Sequence, residues 1–285
     1  MPRLYTSGMA AVAISPRGEA RLRHGHPWIY RSDVDATGAT GGEVVTVRGA
    51  RDRVLGQAFF SDRSQIALRM VTRDDRPVDE AFWRARLAAA LAFRESLHID
   101  ASAFRLVHAE ADLLPSIIVD RYGDVLVVQT LSQGSDRLLP VLTRLLVELT
   151  GATGIVERND PRVRQLEGLE SRVSVLHGEV AERVAVREGA VEYDVDVRAG
   201  QKTGLFFDQR ENHAFAARLA QGARVLDVFA HVGGFGLAAL AGGTIVAAFV
   251  LRRLMRRARS LRRQVLAVTL VALSIGFAVG GAVAD

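Results

Sequence analysis

The stretch from Arg224 to Phe229, a short and mostly apolar run that opens directly onto Gly233, Gly234 and Gly236, constrains this chain more than any other. A buried-type strand followed at once by a glycine turn and a helix start is the opening of a Rossmann-like sheet, in which small residues let backbone N–H groups approach a ligand closely. Taken alone the pattern has two readings, because any tight turn after a strand also favours glycine.

Length and composition narrow the alternatives. The chain has 285 residues, enough for two domains of about 100 to 200 residues and part of a third. Hydrophobic residues make up 49% and charged residues 24%, the balance of a folded globular protein. With no Cys, a disulfide framework, a thiolate zinc site and a cysteine nucleophile are excluded for these residues, and a reducing compartment fits. The formal charge of +5 belongs to the end of the chain. Arg252, Arg253, Arg256, Arg257, Arg259, Arg262 and Arg263 follow Gly243 with Asp285 as the only acid, so the high pI says nothing about the main body. The N-terminal apolar stretch Ala10 to Ile14 runs straight into Pro16 and is shorter than a secretory core, so no export is implied.

Periodicity predicts a mixed chain, α+β followed by α/β. Val44 to Val47, Val54 to Phe60 and Gln65 to Val71 read as strands of a small β-rich module. A helix starts near Val78, with Phe82, Leu87, Leu91 and Phe93 as its apolar stripe, and runs to His98. Phe104 to His108, Ser116 to Asp120 and Asp124 to Thr130 read as strands, with a hairpin turn at Tyr122-Gly123-Asp124. Leu138 to Leu149 reads as a helix closed by Gly151, Gly154 to Arg158 as a strand, and Arg183 to Glu188 with Val191 to Val197 as a hairpin about Gly189. Asp208 to Ala220 is helical, with Gly222 as its stop.

Three separated motifs then resemble one family. They are Arg23-His24-Gly25-His26-Pro27-Trp28-Ile29-Tyr30; Leu106 to Asp112 leading to Ile118-Val119-Asp120-Arg121-Tyr122-Gly123-Asp124; and Gly200-Gln201-Lys202-Thr203-Gly204-Leu205-Phe206-Phe207-Asp208-Gln209-Arg210-Glu211-Asn212. Their order resembles the class I S-adenosylmethionine-dependent rRNA methyltransferases of the large-subunit cytosine-C5 type, from about Ala11 to about Gly243. The resemblance implies a PUA-like RNA-binding domain over 1–75, a central α+β domain over 76–198 and the beginning of a Rossmann-like methyltransferase domain over 199–243. It also implies S-adenosylmethionine as cofactor, ribosomal RNA as partner and a cytoplasmic location. Lys202, Phe207, Asp208, Gln209 and Arg210 would flank the cofactor pocket, and Asp227, Phe229, Gly233 and Gly234 would form the first methyltransferase motif. The residues add one hint of their own: Lys202 is the sole lysine of an arginine-rich chain, as if a compact ammonium were wanted there. The other reading of the 207–210 run is a helix N-terminus with Asp208 as its cap.

The best candidates for RNA contact are His26, Trp28 and Tyr30 with Arg21, Arg23 and Arg31, since aromatic faces stack on unpaired bases and guanidinium groups meet phosphates. Against that, Pro27, Trp28 and Ile29 also suit the core of the small module. Asp74 with Asp75, and Glu110 with Asp112, read either as catalytic carboxylates or, more simply, as solvated turn residues. No residue is assigned a catalytic role and no metal is expected.

The family pattern is expected to stop near Gly243. No Asp or Glu lies between Asp227 and Asp285 to hold ribose hydroxyls, no Pro follows Pro161, and the family's cysteine is missing. Residues 244–285 instead read as an arginine cluster and an uncharged run, Val265 to Ala284, long enough for a transmembrane helix or else a buried core helix. Three functions follow: a methyltransferase, catalytically incomplete as written and unable to methylate cytosine; an RNA-binding remnant without chemistry; or a membrane-tethered interaction protein.

Overall fold

The computed structural model describes residues 10–35, 37–228, 231–241 and 245–246. They form two units, residues up to 186 with 194–205, and residues 187–193 with those from 206 onward.

The first unit opens with β1 (Ala11–Ala13), α1 (Pro16–Arg23), β2 (Trp28–Tyr30), β3 (Val44–Arg48), β4 (Val54–Phe60) and β5 (Ile66–Thr72), the strands lying in the order β1-β3-β4-β5-β2. β1 runs parallel to β3, and the remaining pairs are antiparallel. Side chains alternate across such a sheet, and here both faces are covered. Val45, Val47, Ala58, Phe60, Leu68 and Met70 pack with Leu22 and Ile29, while Val44, Phe59 and Val71 pack with Trp83 and Leu87. Two-sided burial is why β3 reads as a continuous apolar run. Helix α1 left no periodic signal because only Gly18, Glu19 and Leu22 of it are buried; its start is set by Ser15, which accepts the Gly18 N–H, and by Pro16 in the first turn.

The unit continues through α2 (Glu80–Ser96), β6 (Ala103–His108), β7 (Ile117–Tyr122), β8 (Val125–Thr130), α3 (Gln133–Thr150), β9 (Gly154–Asn159) and β10 (Arg172–Gly178). The second sheet has the order β10-β9-β8-β7-β6, antiparallel except for the β8–β9 pair that α3 crosses over. Asp79 caps α2 by accepting the Phe82 N–H at 2.9 Å. The expected stripe holds for Phe82 and Leu87 but not for Phe93, which is exposed. α3 starts five residues before the expected Leu138, because Ser132 and Ser135 form a reciprocal cap. Its Gly134 lies so close to Phe59 that a Cβ would stand 2.3 Å from the ring. Phe59 in turn stacks on Trp83 at 5.5 Å between centroids, and Arg69 of β5 pairs with buried Glu167 at 2.8 Å. Strand β10 is not marked by turn signals or a buried face, since its side chains, Val173 and Val175 among them, are mostly exposed. β11 (Val184–Glu188) and β12 (Val191–Val195) form the expected hairpin.

In the second unit α4 (Arg210–Leu219) precedes β13 (Arg224–Val225), α5 (Gly234–Ala241) and β14 (Ile245–Val246). β13 and β14 pair in parallel, Arg224 with Ile245 and Val225 with Val246, so α5 is the crossover of a βαβ unit. A strand thus follows Gly243, where the sequence pattern is expected to break, and two residues are too few for periodicity to mark. The expected strand from Arg224 to Phe229 is also shorter than its apolar run. Phe229, the arginine cluster and Val265 to Ala284 lie outside the described residues. Among the described residues no helix is long and apolar enough to cross a membrane.

Candidate functional site

The link from β13 to α5 is held from several directions. Asp227 stands two residues past β13, and its Oδ2 accepts the Gly236 N–H at 2.9 Å, tying the strand end to the first turn of α5. Gly233 has φ +84, a conformation that strains any side chain. Gly234 is demanded by crowding, since a Cβ there would lie 2.4 Å from His213 Cε1. His213 is fixed in turn, its Nδ1–H donating to Glu188 Oε1 at 2.8 Å and its ring meeting Phe235 edge-on at 4.6 Å. Phe206 makes the same kind of contact with His231 at 4.9 Å. Adjacent glycines at a helix N-terminus are a place where backbone N–H groups can meet a polar ligand. Asp227 is thus tied to the helix start that follows Gly233 and Gly234, and His213 and Glu188, which the sequence did not mark, stand beside it. A lone His on a polar helix gives no signal until its partners are seen.

Asp208 does not cap α4. The cap position falls on Gln209, without a side-chain cap bond, because a short 3₁₀ turn over Phe207–Gln209 intervenes. Asp208 is exposed and accepts from Gln209 Nε2 at 3.5 Å. Gln209 Oε1 accepts from Asn212 at 3.0 Å, Arg210 lies 3.6 Å from Glu211, and Phe207 is half-buried.

Lys202 belongs to the first unit, in a segment with dense anchorage. Asp196 Oδ1 accepts the Arg198 and Ala199 N–H groups at 2.9 and 2.7 Å, and these backbone donors, the Ala199 N–H foremost, hold its carboxyl below the usual aspartate value. Arg158 donates to the carbonyls of Val197 and Gly200 at 3.3 and 3.0 Å. Thr203 Oγ1 donates to Asp120 Oδ2 at 2.6 Å. Lys202 itself is exposed at φ +56, an uncommon conformation for a residue with a Cβ that the fixed neighbours on each side impose.

The RNA candidates are less free than the sequence suggested. Trp28 is half-buried, its indole N–H donating to Glu110 Oε1 at 2.9 Å; Ile29 is the buried member of the strand. Arg31 is committed to the carbonyls of Ser61 and Ser64, which makes it a scaffold residue. Arg21 pairs with Asp33 at 2.9 Å and stacks over Tyr30 at 4.8 Å. Arg23 pairs with Glu19 at 3.1 Å, and His26 makes ring contacts with Trp28 and Tyr30. Of the suspected carboxylates, Asp112 is no solvated turn residue: it is 9% exposed and takes a two-pronged bond from Arg94 at 2.8 and 2.6 Å. Asp74 pairs with Arg76 at the surface. Among the described residues no cluster of His, Asp and Glu could hold a metal.

Comparison with known proteins agrees with this arrangement. Residues 12–73 match the profile of a PUA-like domain, and residues 105–274 match that of an S-adenosylmethionine-dependent methyltransferase, running past Gly243 as the β14 pairing does. The chain is 41% identical over 232 residues to ribosomal RNA large subunit methyltransferase I of Tolumonas auensis, covering 79% of this chain and 58% of that protein. With the protein of the same name from Shewanella amazonensis it is 39% identical over 238 residues, covering 81% and 60%. It therefore spans less than two thirds of the length of these relatives. Among solved structures, a methyltransferase complexed with SAH superposes with a TM-score of 0.71 at 20% identity, over 83% of this chain and 61% of the other. A protein of Streptococcus mutans described as a SAM-dependent methyltransferase gives 0.69, also at 20%, over 83% and 62%. At that identity the likeness speaks for the fold. The profile match, which spans more than half of the chain and takes in the whole β13–α5–β14 unit, makes the chain a member of the S-adenosylmethionine-dependent methyltransferase family.

Proposed function

We propose that this protein serves the methylation of large-subunit ribosomal RNA from S-adenosylmethionine in the cytoplasm, with cytosine C5 as the target. Its relatives are named as large-subunit ribosomal RNA methyltransferases, and cytosine C5 follows from the resemblance of the motifs. Residues 1–75 would face RNA, 76–198 would form the central domain, and the methyltransferase part would begin at 199. The observation that supports the cofactor reading is the Asp227–Gly236 bond, which ties the end of β13 to the first turn of α5 beside Gly233 and Gly234. The residues present fit the amino-acid end of the cofactor, with Gly233 and Gly234 admitting it to the backbone. Lys202, Phe207, Asp208, Gln209, Arg210 and Phe229 join them on the family resemblance alone. When bound, the cofactor supplies an electrophilic methyl group.

C5 attack by a pyrimidine requires a nucleophile at C6, which in the resembled family is a cysteine thiolate. These 285 residues contain no Cys, and no acid follows Asp227 before Asp285 to hold ribose hydroxyls. They accordingly supply RNA-facing and cofactor-facing elements and not the thiolate. Calorimetric titration with S-adenosylhomocysteine and transfer of labelled methyl to ribosomal RNA test both parts. Binding without incorporation is expected. Failure to bind overturns the cofactor reading, and label at cytosine C5 overturns the reading that these residues lack a nucleophile the reaction needs.

A further inference from the structure

We propose that α1 carries a preorganised clamp for RNA phosphates, in which two buried carboxylates each hold two guanidinium groups: Asp33 holds Arg17 and Arg21, and Glu19 holds Arg23 and Arg53. The inference rests on the reading of RNA as partner and adds Arg17 and Arg53, which no sequence motif marked, as contacts, with Asp33 and Glu19 as positioning residues.

Asp33 is 1% exposed and accepts from Arg17 Nε at 2.6 Å, from Arg21 Nη1 at 2.9 Å and from Ser15 Oγ at 2.9 Å. Glu19 is 3% exposed and accepts from Arg23 Nη2 at 3.1 Å, from the Ala50 N–H at 2.9 Å and from Arg53. One guanidinium would balance each carboxylate. The second leaves a positive charge over at each buried acid, a surplus that packing does not require. Arg17, Arg23 and Arg53 remain 64%, 67% and 59% exposed at the side chain. A guanidinium has five N–H donors. Arg17 uses one on Asp33 and another on Ser32 Oγ at 3.0 Å, and Arg23 and Arg53 each use one on Glu19, so donors are left over on each.

Helix geometry distributes them. With about 100° between successive residues, Gly18 and Leu22 point into the module, where both are buried. Arg17 and Arg21 then line one flank of the solvent face and Arg23 the other. The Asp33 carboxylate thus fixes one flank and Glu19 its opposite, with Arg53 beside Arg23 on the same acid. Arginines already held in place lose less freedom when they meet phosphate than free ones would. Exposed Asp52 does not neutralise the group, being paired with Arg48 at 2.9 Å.

The test is fluorescence anisotropy of a labelled large-subunit rRNA fragment with the full chain, titrated across salt concentrations. Replacing Arg17 and Arg53 together with Gln should weaken binding roughly tenfold or more at low salt and flatten the log K against log salt slope by about 0.7 to 0.9 per arginine. Replacing both with Lys should keep the slope, a readout that a purely structural role would not give. Melting curves of both variants verify folding. Binding by wild type with an unchanged slope in the Gln variant overturns the clamp and leaves RNA as the partner. No RNA binding by wild type overturns both.

Discussion

Thr203 and Asp120, 83 residues apart in the chain, meet in a buried hydrogen bond of 2.6 Å, Thr203 Oγ1 donating to Asp120 Oδ2. Tyr122, two residues on from Asp120 in β7, has its hydroxyl 3.1 Å from the same Thr203 oxygen and accepts the Leu205 N–H at 3.1 Å. Burial, with the Asp120 charge beside it, pushes the Tyr122 hydroxyl well above its usual pKa, so it stays protonated. Asp120 is balanced by Arg105 at 2.8 and 3.0 Å. Two motifs that stand far apart in the sequence are therefore one structural device. The Gln201 to Gly204 turn that presents Lys202 is bolted to the second sheet.

Replacing Thr203 with Val keeps the shape and removes the hydroxyl. One Asp120 oxygen and the Tyr122 hydroxyl then lose a partner in a buried site, which costs about 1 to 3 kcal/mol. The urea midpoint should fall accordingly, and Thr203→Ser should recover most of the loss. An unchanged midpoint for the Val variant would show that the pair is not a fastener.

Strands β6 to β9 of the second sheet and both hairpins were legible because Val, Ile and Tyr cluster there between turn signals, and the Gly151 stop of α3 was legible because glycine takes the left-handed backbone at a helix end. What escaped was structure whose cause is polar or distant. α1 is held by Ser15 and by buried Glu19, β10 presents its side chains to solvent, and β14 is only two residues long. The glycine turn and Asp227 could be read from local sequence as a strand end meeting a helix start. His213 and Glu188 could not, since 25 residues separate them and neither sits in a pattern. Arg31 shows the reverse error: its residue type suggested phosphate, and its place in the fold assigns it to backbone carbonyls.

Gly134 offers a test of the joint between the first sheet and α3. An alanine there favours the helix by about 1 kcal/mol over glycine, but its Cβ would stand 2.3 Å from Phe59, which Trp83 holds in place. Overpacking of a well-packed core costs roughly 1 to 3 kcal/mol, so the net effect of Gly134→Ala should be destabilising. Phe59→Leu should cost less in the Gly134→Ala background than in wild type. Stabilisation by the alanine would mean the ring has room to move.

Glu19 sets an acid limit on the first sheet. The Ala50 N–H above all, against the opposing effect of burial, and then Arg23 and Arg53 hold its carboxyl below the ordinary value of 4.5. A group lowered on folding contributes stability that is fully present above its unfolded value and is lost as the pH falls through the folded one. The stability difference between wild type and Glu19→Gln should therefore be level at neutral pH and shrink progressively below 4.5. Denaturant melts of both proteins across that range check it, and a difference that grows on acidification would reverse the assignment.

Gly234 gives the sharpest test of the candidate site, because its requirement can be traced to one neighbour. A Cβ there meets His213 Cε1 at 2.4 Å and Nε2 at 2.5 Å, and His213 cannot yield easily while Glu188 and Phe235 hold it. Gly234→Ala should therefore displace either the imidazole or the turn, at a cost of about 1 to 3 kcal/mol. Removing the obstacle by His213→Ala should relieve the clash, so the double variant should be more stable than the sum of the single losses predicts, with a coupling of about 0.5 to 3 kcal/mol. Binding of S-adenosylhomocysteine separates the two modes of relief. If the turn moves, Gly234→Ala loses affinity and the double variant regains it; if the ring moves, stability falls while affinity holds. Strict additivity of the two substitutions would mean that His213 is not what makes a glycine necessary.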